Sequence, residues 1–209
     1  MVITFSVAAL SVSYFETRLR PNFAILCQSE TALYGNKLIN NCVVNTMNDY
    51  KGNGKSSDIE DGIFSVIEKD KDGNIKSFQT NTVTLNRYSS EVETKIYDAL
   101  TDINSSTISI PLGNVLSDSI LLSNIGPNIK VRIKPVGFAD VEYESHFTNA
   151  GINQVKHEVI LKVKLTLVAY MLPGVSTRVA VKSNIPIDQT ILMGNIPNGY
   201  ANIGGNLKD

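Results

Sequence analysis

The chain has 209 residues, of which 43% are hydrophobic and 19% are charged. It is long enough to bury a sizeable core, and it is too apolar for an intrinsically disordered protein. The net charge of −1 gives no overall basic surplus. Composition therefore gives no indication of a nucleic-acid-binding protein, and we expect no nucleic acid partner.

The chain opens with an uncharged run, Met1 to Phe15. Three interpretations fit such a run: the C-terminal part of a transmembrane helix that starts upstream, the apolar region of a signal peptide, or a buried segment. Fifteen helical residues span about 22 Å, which is less than the ~30 Å of bilayer hydrocarbon.

Two arginines near this run raise a conflict about membrane topology. Arg18 and Arg20 follow the run instead of preceding it, and the positive-inside rule would then keep the following domain in the cytoplasm. A start codon assigned too late would remove the conflict. We therefore expect residues 1–20 to be an anchor or signal-like segment, a truncated membrane helix that leads into an extracytoplasmic domain.

Helical patterning is found in two segments. After Pro21, which suits a helix start, apolar residues recur at three-and-four spacing from Asn22 to about Asp49. A second pattern covers Val83 to Ile103, and Asn81 or Thr82 could cap that helix. The predicted core residues of the two helices are Phe23, Leu26, Leu33, Ile39, Val43 and Met47, and then Val92, Ile96, Ala99 and Leu100.

The two cysteines, Cys27 and Cys42, both fall in the first predicted helix. Fifteen residues of helix separate them by about 22 Å, far beyond the ~7 Å limit for Cα atoms joined by a disulfide. They are predicted to be buried structural residues, so they do not indicate a redox compartment.

A loop and a hairpin lie between the predicted helices. Tyr50 to Gly62 is polar and glycine-rich, which is typical of a loop. Strands are predicted at Ile63–Glu68 and Ile75–Thr80, joined by a turn at Asp70–Asn74. This turn resembles the start of a calcium loop, but its twelfth position is Asn81 instead of a bidentate acid. We therefore interpret it as a hairpin turn.

The remainder of the chain is predicted to be rich in β-structure. A strand is expected at Ser106–Leu112, followed by a loop from Asn114 to Asn128 that carries an apolar patch. Long alternating segments then favour strands, with a short strand closing the sheet. These predicted strands are Ile129–Phe147, Lys156–Met171, Val175–Ile187 and Gln189–Met193.

Aligning like faces of the first two long segments predicts an antiparallel hairpin around Ala150–Gln154. In this register Tyr143 lies opposite Leu161, and opposite charges face each other across the strands. The predicted charged pairs are Glu142–Lys162, Asp140–Lys164 and His146–Glu158. The predicted fold class is α+β: a long N-terminal helix and a second helix packed on a mainly antiparallel sheet. A single domain is expected over residues 21–203, with a flexible tail at residues 204–209.

Candidate chemical groups are few. The same register places His146 and His157 on opposite faces of the sheet, so they could not share a metal. Glu142 and Glu144 lie on one face about 7 Å apart, a spacing that would suit acid–base chemistry on a glycosidic bond. Alternating acids on an exposed sheet face are more often a device for solubility. We therefore expect no catalytic residue, no metal and no cofactor.

Several uncharged, turn-rich strings are not explained by periodicity alone. They are QTNTVTLNR (Gln79–Arg87), ISIPLGNVL (Ile108–Leu116), FTNAGINQVKHEVILKV (Phe147–Val163) and IPIDQTILMGNIPNGY (Ile185–Tyr200). In this order and spacing they resemble the YunB family of sporulation proteins from endospore-forming bacteria. The resemblance covers about Pro21 to Ile203, nearly the whole chain. It implies a membrane helix followed by an extracytoplasmic domain associated with sporulation, and it carries over no catalytic residues.

Three hypotheses about function follow. The first is a membrane-anchored structural or interaction domain that contacts another envelope or spore-membrane protein, with a homo-oligomer left open. The second is a cell-envelope hydrolase that uses Glu142, Glu144 or His146 on cell-wall glycan or peptide and needs a concave pocket around them. The third is a small-ligand or lipid-binding module. The predicted interaction surface consists of Asn149, Gly151, Asn153, Gln154, Leu121 and Leu122.

Overall fold

The computed structural model describes residues 6, 7, 10, 13, 17, 20–52, 62–73, 75–102, 107–116, 125–151, 153–172 and 175–193. In chain order the elements are α1 (Arg20–Gly52), β1 (Ser65–Lys69), β2 (Ile75–Thr80), α2 (Thr82–Thr101), β3 (Thr107–Pro111), α3 (Leu112–Leu116), β4 (Asn128–Pro135), β5 (Asp140–Gly151), β6 (Gln154–Leu172) and β7 (Val175–Met193).

The strands form two sheets. β1 and β2 pair antiparallel, and the five remaining strands form a second sheet in the order β3-β4-β6-β5, with β7 also paired to β6. The β3–β4 and β4–β6 pairs are antiparallel, with Ile108 opposite Val131 and Ile133 opposite Ala169. Helices and a mainly antiparallel sheet in one chain confirm the predicted α+β class.

The chain divides into two compact units. The first consists of Met1–Asn45, Val92–Asp140 and Val163–Ser183, and the second of Thr46–Glu91, Val141–Lys162 and Asn184–Asp209. The expectation of a single domain over residues 21–203 stays a prediction.

The core of the first unit joins α1 to the sheet. Phe23 and Cys27 of α1 pack with Ile110 of β3, Val131 of β4 and Ala169 of β6. Cys27 and Cys42 are both free and buried, as predicted. Burial raises the pKa of both thiols, so they stay protonated and inert at neutral pH.

One predicted core residue of α1 is exposed, and small side chains are buried nearby. Thr31 is fully buried, whereas Leu33, predicted to be in the core, is 63% exposed. At Gly35 an added Cβ would lie 2.8 Å from Val181 Cγ2 and 3.1 Å from Leu167 Cδ1. The helix therefore approaches β6 and β7 through small side chains spaced four residues apart, Cys27, Thr31 and Gly35.

An aromatic cluster fills the core of the second unit. The ring of Tyr88 on α2 meets Phe64 edge-on at 5.1 Å and Tyr50 at 5.5 Å. The Tyr50 hydroxyl donates to Glu91 Oε1 at 3.2 Å, and burial together with the Glu91 charge raises the pKa of Tyr50 to about 12. Asn81 caps α2, because its Oδ1 accepts a hydrogen bond from the Thr84 amide at 3.0 Å.

Two predicted strand boundaries are wrong. The expected strand Ile129–Phe147 is two strands, β4 and β5, because Pro135 has no amide hydrogen to donate and Gly137 adopts a left-handed φ of 76°. The expected short strand Gln189–Met193 is the end of β7, which is continuous to Met193. Within β7 the alternation of more buried and less buried side chains shifts by one residue between Ile187 and Asp188.

Two predicted loops begin too early, and one predicted turn is confirmed. α1 continues through Tyr50 to Gly52, where a loop was expected from Tyr50. The stretch expected to be a loop from Asn114 begins inside the short helix α3, where the Gly113 amide donates to Ile125 O at 2.9 Å. The β1–β2 connection is a hairpin turn, as predicted: the Gly73 amide donates to Asp70 O at 3.1 Å, and Gly73 has a φ of 83°.

Several predictions lie outside the described residues. They include most of the segment 1–20, the tail at 204–209, and Leu121 and Leu122 of the expected interaction surface. Among the residues that the structure describes, no helix has the length and apolar character needed to cross a membrane.

Substituting Gly35 tests the close approach of α1 to the sheet. Alanine normally stabilises a helix relative to glycine by about 0.5–1 kcal/mol. At this position the added Cβ would overlap a stiff, buried valine, so we expect Gly35→Ala to lower the free energy of unfolding by about 1–3 kcal/mol. Chemical denaturation measures the change. Adding Val181→Ala should recover part of the loss, and Asn36→Ala on the exposed face serves as the control; stabilisation by Gly35→Ala would contradict the packing.

Candidate functional site

The tip of the β5–β6 hairpin brings together the described members of the predicted interaction surface. A groove of about 310 Å³ lies there, which we call the tip groove. Its lining residues are Phe147, Thr148, Asn149, Gly151, Asn153, Gln154 and Val155. Asn149, Gly151, Asn153 and Gln154 were all singled out from the sequence, whereas Phe147 and Val155 add an apolar component.

The tip owes its shape to its turn residues. Asn149 Oδ1 accepts a hydrogen bond from the Gly151 amide at 3.0 Å. Gly151 and Asn153 both have positive φ, of 150° and 57°, and asparagine is among the few side chains that tolerate the left-handed region. The turn therefore uses the asparagines for conformation and leaves the groove open on the surface.

The tip groove combines apolar surface with amides. Phe147 is 57% exposed and Val155 is 41% exposed, while Asn149 and Gln154 supply hydrogen-bonding groups beside them. Exposed aromatic surface flanked by neutral polar groups is a common composition of protein contact surfaces.

Phe147 also packs on a buried histidine. The His157 ring has no exposed surface and lies against Phe78 at 4.6 Å and Phe147 at 4.7 Å. Its Nε2 is 2.8 Å from Ser145 Oγ and 3.3 Å from Thr80 Oγ1. We call His157, Ser145, Thr80 and the nearby Asp188 the His157 cluster.

Asp188 and His157 influence each other electrostatically. Burial lowers the pKa of His157, and the Asp188 charge acts in the opposite direction. Burial likewise raises the pKa of Asp188, against the effect of His157 and of a hydrogen bond from the Gln189 backbone. His157 Nδ1 and Asp188 Oδ2 are both buried and have no hydrogen-bond partner within the described part of the chain. The imidazole is therefore held neutral in a low-dielectric environment.

The Ser145–His157 contact has the geometry of a nucleophile and its base, but burial argues against that role. In acyl transfer the imidazole must also return its proton to the leaving group, so its Nε2 must face the substrate. The His157 ring is fully buried and flanked by two phenylalanines. The contact is accordingly best explained as satisfaction of a buried polar group.

A second cavity, of about 440 Å³, contains the two glutamates of the hydrolase hypothesis. Glu142 and Glu144 line it together with Asn86 and Ser89 of α2. Hydrogen bonds from Lys162 and from His146 at 3.0 Å lower the pKa of Glu144, so this carboxylate stays ionised at neutral pH. A lowered pKa is the opposite of what a general acid in glycoside hydrolysis needs, so it argues against that role for Glu144.

Of the three charged pairs predicted for the β5–β6 hairpin, one is confirmed and two are wrong. Asp140 accepts from Lys164 at 3.1 Å, as predicted. Lys162 pairs with Glu144 instead of Glu142, and His146 also pairs with Glu144. Glu158 pairs with Lys156 along its own strand at 3.1 Å. Long, flexible side chains reach diagonal neighbours, which a strict cross-strand rule does not anticipate.

His146 is exposed and His157 is buried, as predicted for two histidines on opposite faces of the sheet. Within the described residues, no group of three or more histidine, cysteine or acidic side chains could hold a metal ion.

Sequence reasoning missed most of the His157 cluster. Asp188 was predicted to lie between two strands, and the shift of burial alternation at this residue is what turns its side chain inward. Ser145 and Thr80 carry no distinguishing pattern. The one available signal was His157 itself, a polar residue at an inward position of a strongly alternating strand.

Comparison with known proteins identifies relatives. Residues 107–199 match the family model described as sporulation protein YunB. Over these residues the chain is similar to the YunB family of sporulation proteins. The sporulation protein YunB of Bacillus subtilis (strain 168) is 25% identical over 197 residues, which cover 90% of this chain and 74% of that protein. No solved structure matches the chain.

The family match includes two of the four strings that carried the resemblance and all but the last residue of a third, and it spans β3 to β7 together with the tip groove. The resemblance to YunB proteins seen in the sequence is thereby confirmed.

The neutral state of His157 can be tested by pH titration. Because its folded-state pKa lies below the unfolded value of about 6.5, the unfolded chain binds the proton more readily. The histidine contribution to the free energy of unfolding therefore falls as the pH drops through about 6.5. The raised pKa of Asp188 has the opposite sign, since its protonation favours the folded state on acidification.

Imidazole NMR resonances follow the two histidines separately. We expect the pKa of His157 to lie below 6.5 and to fall further in Asp188→Asn, which removes the negative charge that favours protonation. His157→Gln should flatten the pH dependence of stability. An unshifted His157 titration, unaffected by Asp188→Asn, would rule out the buried neutral pair.

Proposed function

We propose that this protein acts in endospore formation as a non-catalytic interaction domain, held at a membrane on its extracytoplasmic side, that binds a partner protein of the envelope through the tip groove. The sporulation association is supported by the YunB family match. The observation that carries the binding role is the tip groove itself, where a half-exposed Phe147 lies among neutral amides.

The chemistry of the groove favours a protein ligand. Its lining residues are uncharged, so it offers little to an anionic glycan or nucleotide. Phe147 is braced by Phe78 at 5.9 Å and by His157, which fixes the orientation of an exposed aromatic ring before any partner arrives. A preorganised aromatic anchor of this kind loses little conformational entropy on binding.

A charge introduced into the groove should disrupt partner binding without disturbing the fold. Thr148→Arg places a long cation among groove residues at an exposed position, and Asn184→Arg is a matched control on exposed β7. In the organism that encodes this chain, we expect Thr148→Arg to reduce the yield of heat-resistant spores at least severalfold and Asn184→Arg to leave it unchanged.

The same pair of variants supports a direct binding readout. A photo-crosslinker at Asn149 should form a discrete product in sporulating cells, and Thr148→Arg should abolish it. Both variants should unfold at the wild-type denaturant concentration. Wild-type spore yield and crosslinking in a stably folded Thr148→Arg protein would refute the role of the groove.

The extracytoplasmic location has its own test. A single cysteine at Lys71, exposed in the β1–β2 turn, is placed in a Cys27→Ala, Cys42→Ala background. We expect a membrane-impermeant thiol reagent to label it in intact cells. Labelling that appears only after lysis would place the domain in the cytoplasm, as the positions of Arg18 and Arg20 would require.

A further inference from the structure

The outward face of the sheet in the first unit carries basic side chains on three strands. On β4, Val131 and Ile133 are fully buried, so the residues between and beside them point the other way. These outward residues are Lys130, Arg132 and Lys134, all exposed.

The neighbouring strand β6 continues the same face. Arg132 lies opposite Tyr170, and Lys134 lies opposite Val168. The Lys134 ammonium lies 5.9 Å from the centre of the Tyr170 ring. Leu167 faces α1, because its side chain lies beside Gly35; Lys164, three residues earlier on the strand, therefore points outward.

Strand β7 adds two more cations. Val181 packs beside Gly35 of α1, which fixes its inward direction. By the two-residue period of a strand, Arg178 and Lys182 point to the opposite face, and both are exposed. The face therefore presents six basic side chains, which we call the basic face: Lys130, Arg132, Lys134, Lys164, Arg178 and Lys182.

Little negative charge compensates the basic face. Among the described residues of this face, the acidic side chain is Asp140, and it pairs with Lys164 at 3.1 Å. The structure gives no ion pair to Lys130, Arg132, Arg178 or Lys182 within the part of the chain that it describes. A chain with a net charge of −1 thus concentrates an excess of positive charge on one sheet surface.

We propose that the basic face binds the surface of a lipid bilayer that contains anionic headgroups. Strands lie about 4.8 Å apart and outward residues repeat about every 6.8 Å along each strand, so the cations form one array across three strands of the sheet. Mobile anionic headgroups in a planar layer can move to match such an array, with each basic residue adding to the attraction.

Other anionic partners match this surface less well. The described basic residues of this face all lie on strands, so the face presents no helix that would enter the major groove of a nucleic acid duplex. Half-exposed Tyr170 on the same face suits the headgroup region, where tyrosine side chains concentrate. The inference goes beyond the proposed function, because it needs neither the tip groove nor the N-terminal segment.

Vesicle binding by the full chain tests the proposal. Sedimentation compares vesicles of phosphatidylcholine alone with vesicles of phosphatidylcholine and phosphatidylglycerol, so any contribution of apolar segments is common to both. We expect tighter binding to the anionic vesicles, weakened by added salt. The double variant Arg132→Gln, Lys182→Gln should reduce binding to the anionic vesicles by about fivefold per cation removed.

The matched control is Lys71→Gln, Lys76→Gln, which removes the same charge from the exposed β1–β2 hairpin. It should bind as the wild type does, and circular dichroism should show both variants folded. If the basic-face variant is misfolded, Arg178→Gln with Lys130→Gln replaces it. Equal binding to both vesicle types, or equal losses in the two double variants, would overturn the proposal. So would tighter binding to duplex DNA, or self-association that the basic-face variant abolishes.

Discussion

The alternation of side chains along β6 is the constraint on which the rest of the sheet depends. β4, β5 and β7 all pair with this strand, and β3 joins the sheet through β4. From His157 to Leu167 each odd-numbered residue is buried, and the even-numbered residues keep some exposure. A shift of one residue would turn every one of these side chains to the other face. The hydrophobic residues of β6 therefore fix the register, and the register determines which residues of the neighbouring strands point outward.

This dependence explains why much of the β-structure could be predicted. The alternation is long and regular, the turn residues Asn149 and Gly151 are distinctive, and the register that follows places His157 inward and His146 outward, as observed. Asn149, Gly151, Asn153 and Gln154 of the tip groove were singled out as turn residues that periodicity does not explain. Alternation does not indicate a break between two strands that both pair with β6, such as the break at Gly137 between β4 and β5. Nor does it reveal the phase shift that turns Asp188 inward to the His157 cluster.

Part of the contact face of α1 was harder to predict because it is lined by small side chains. Leu33 has the more apolar side chain, yet Thr31 and Gly35 are buried. Close approach of a helix to a sheet requires small side chains at the point of contact. A search for large apolar residues at helical spacing finds the buried Phe23, Ile39 and Val43. It also selects the exposed Leu33, and it does not find Thr31 and Gly35. The burial of Cys27 was predicted, but its place among the small side chains that contact the sheet was not.

The distribution of charge over the surface was predicted least well, because the net charge of a chain does not show how its charged side chains are divided among the surfaces of the fold. The part of β5 and β6 in the second unit mixes signs, and Glu144 with Lys162 and Glu158 with Lys156 form local pairs. That arrangement serves solubility, which needs interspersed charges of both signs. The basic face departs from it, since four of its cations have no ion pair among the described residues and their mutual repulsion opposes folding. A sheet surface selected for solubility alone could carry glutamates at some of those positions and avoid that repulsion. The single sign is therefore better explained by an anionic partner than by the requirements of the fold.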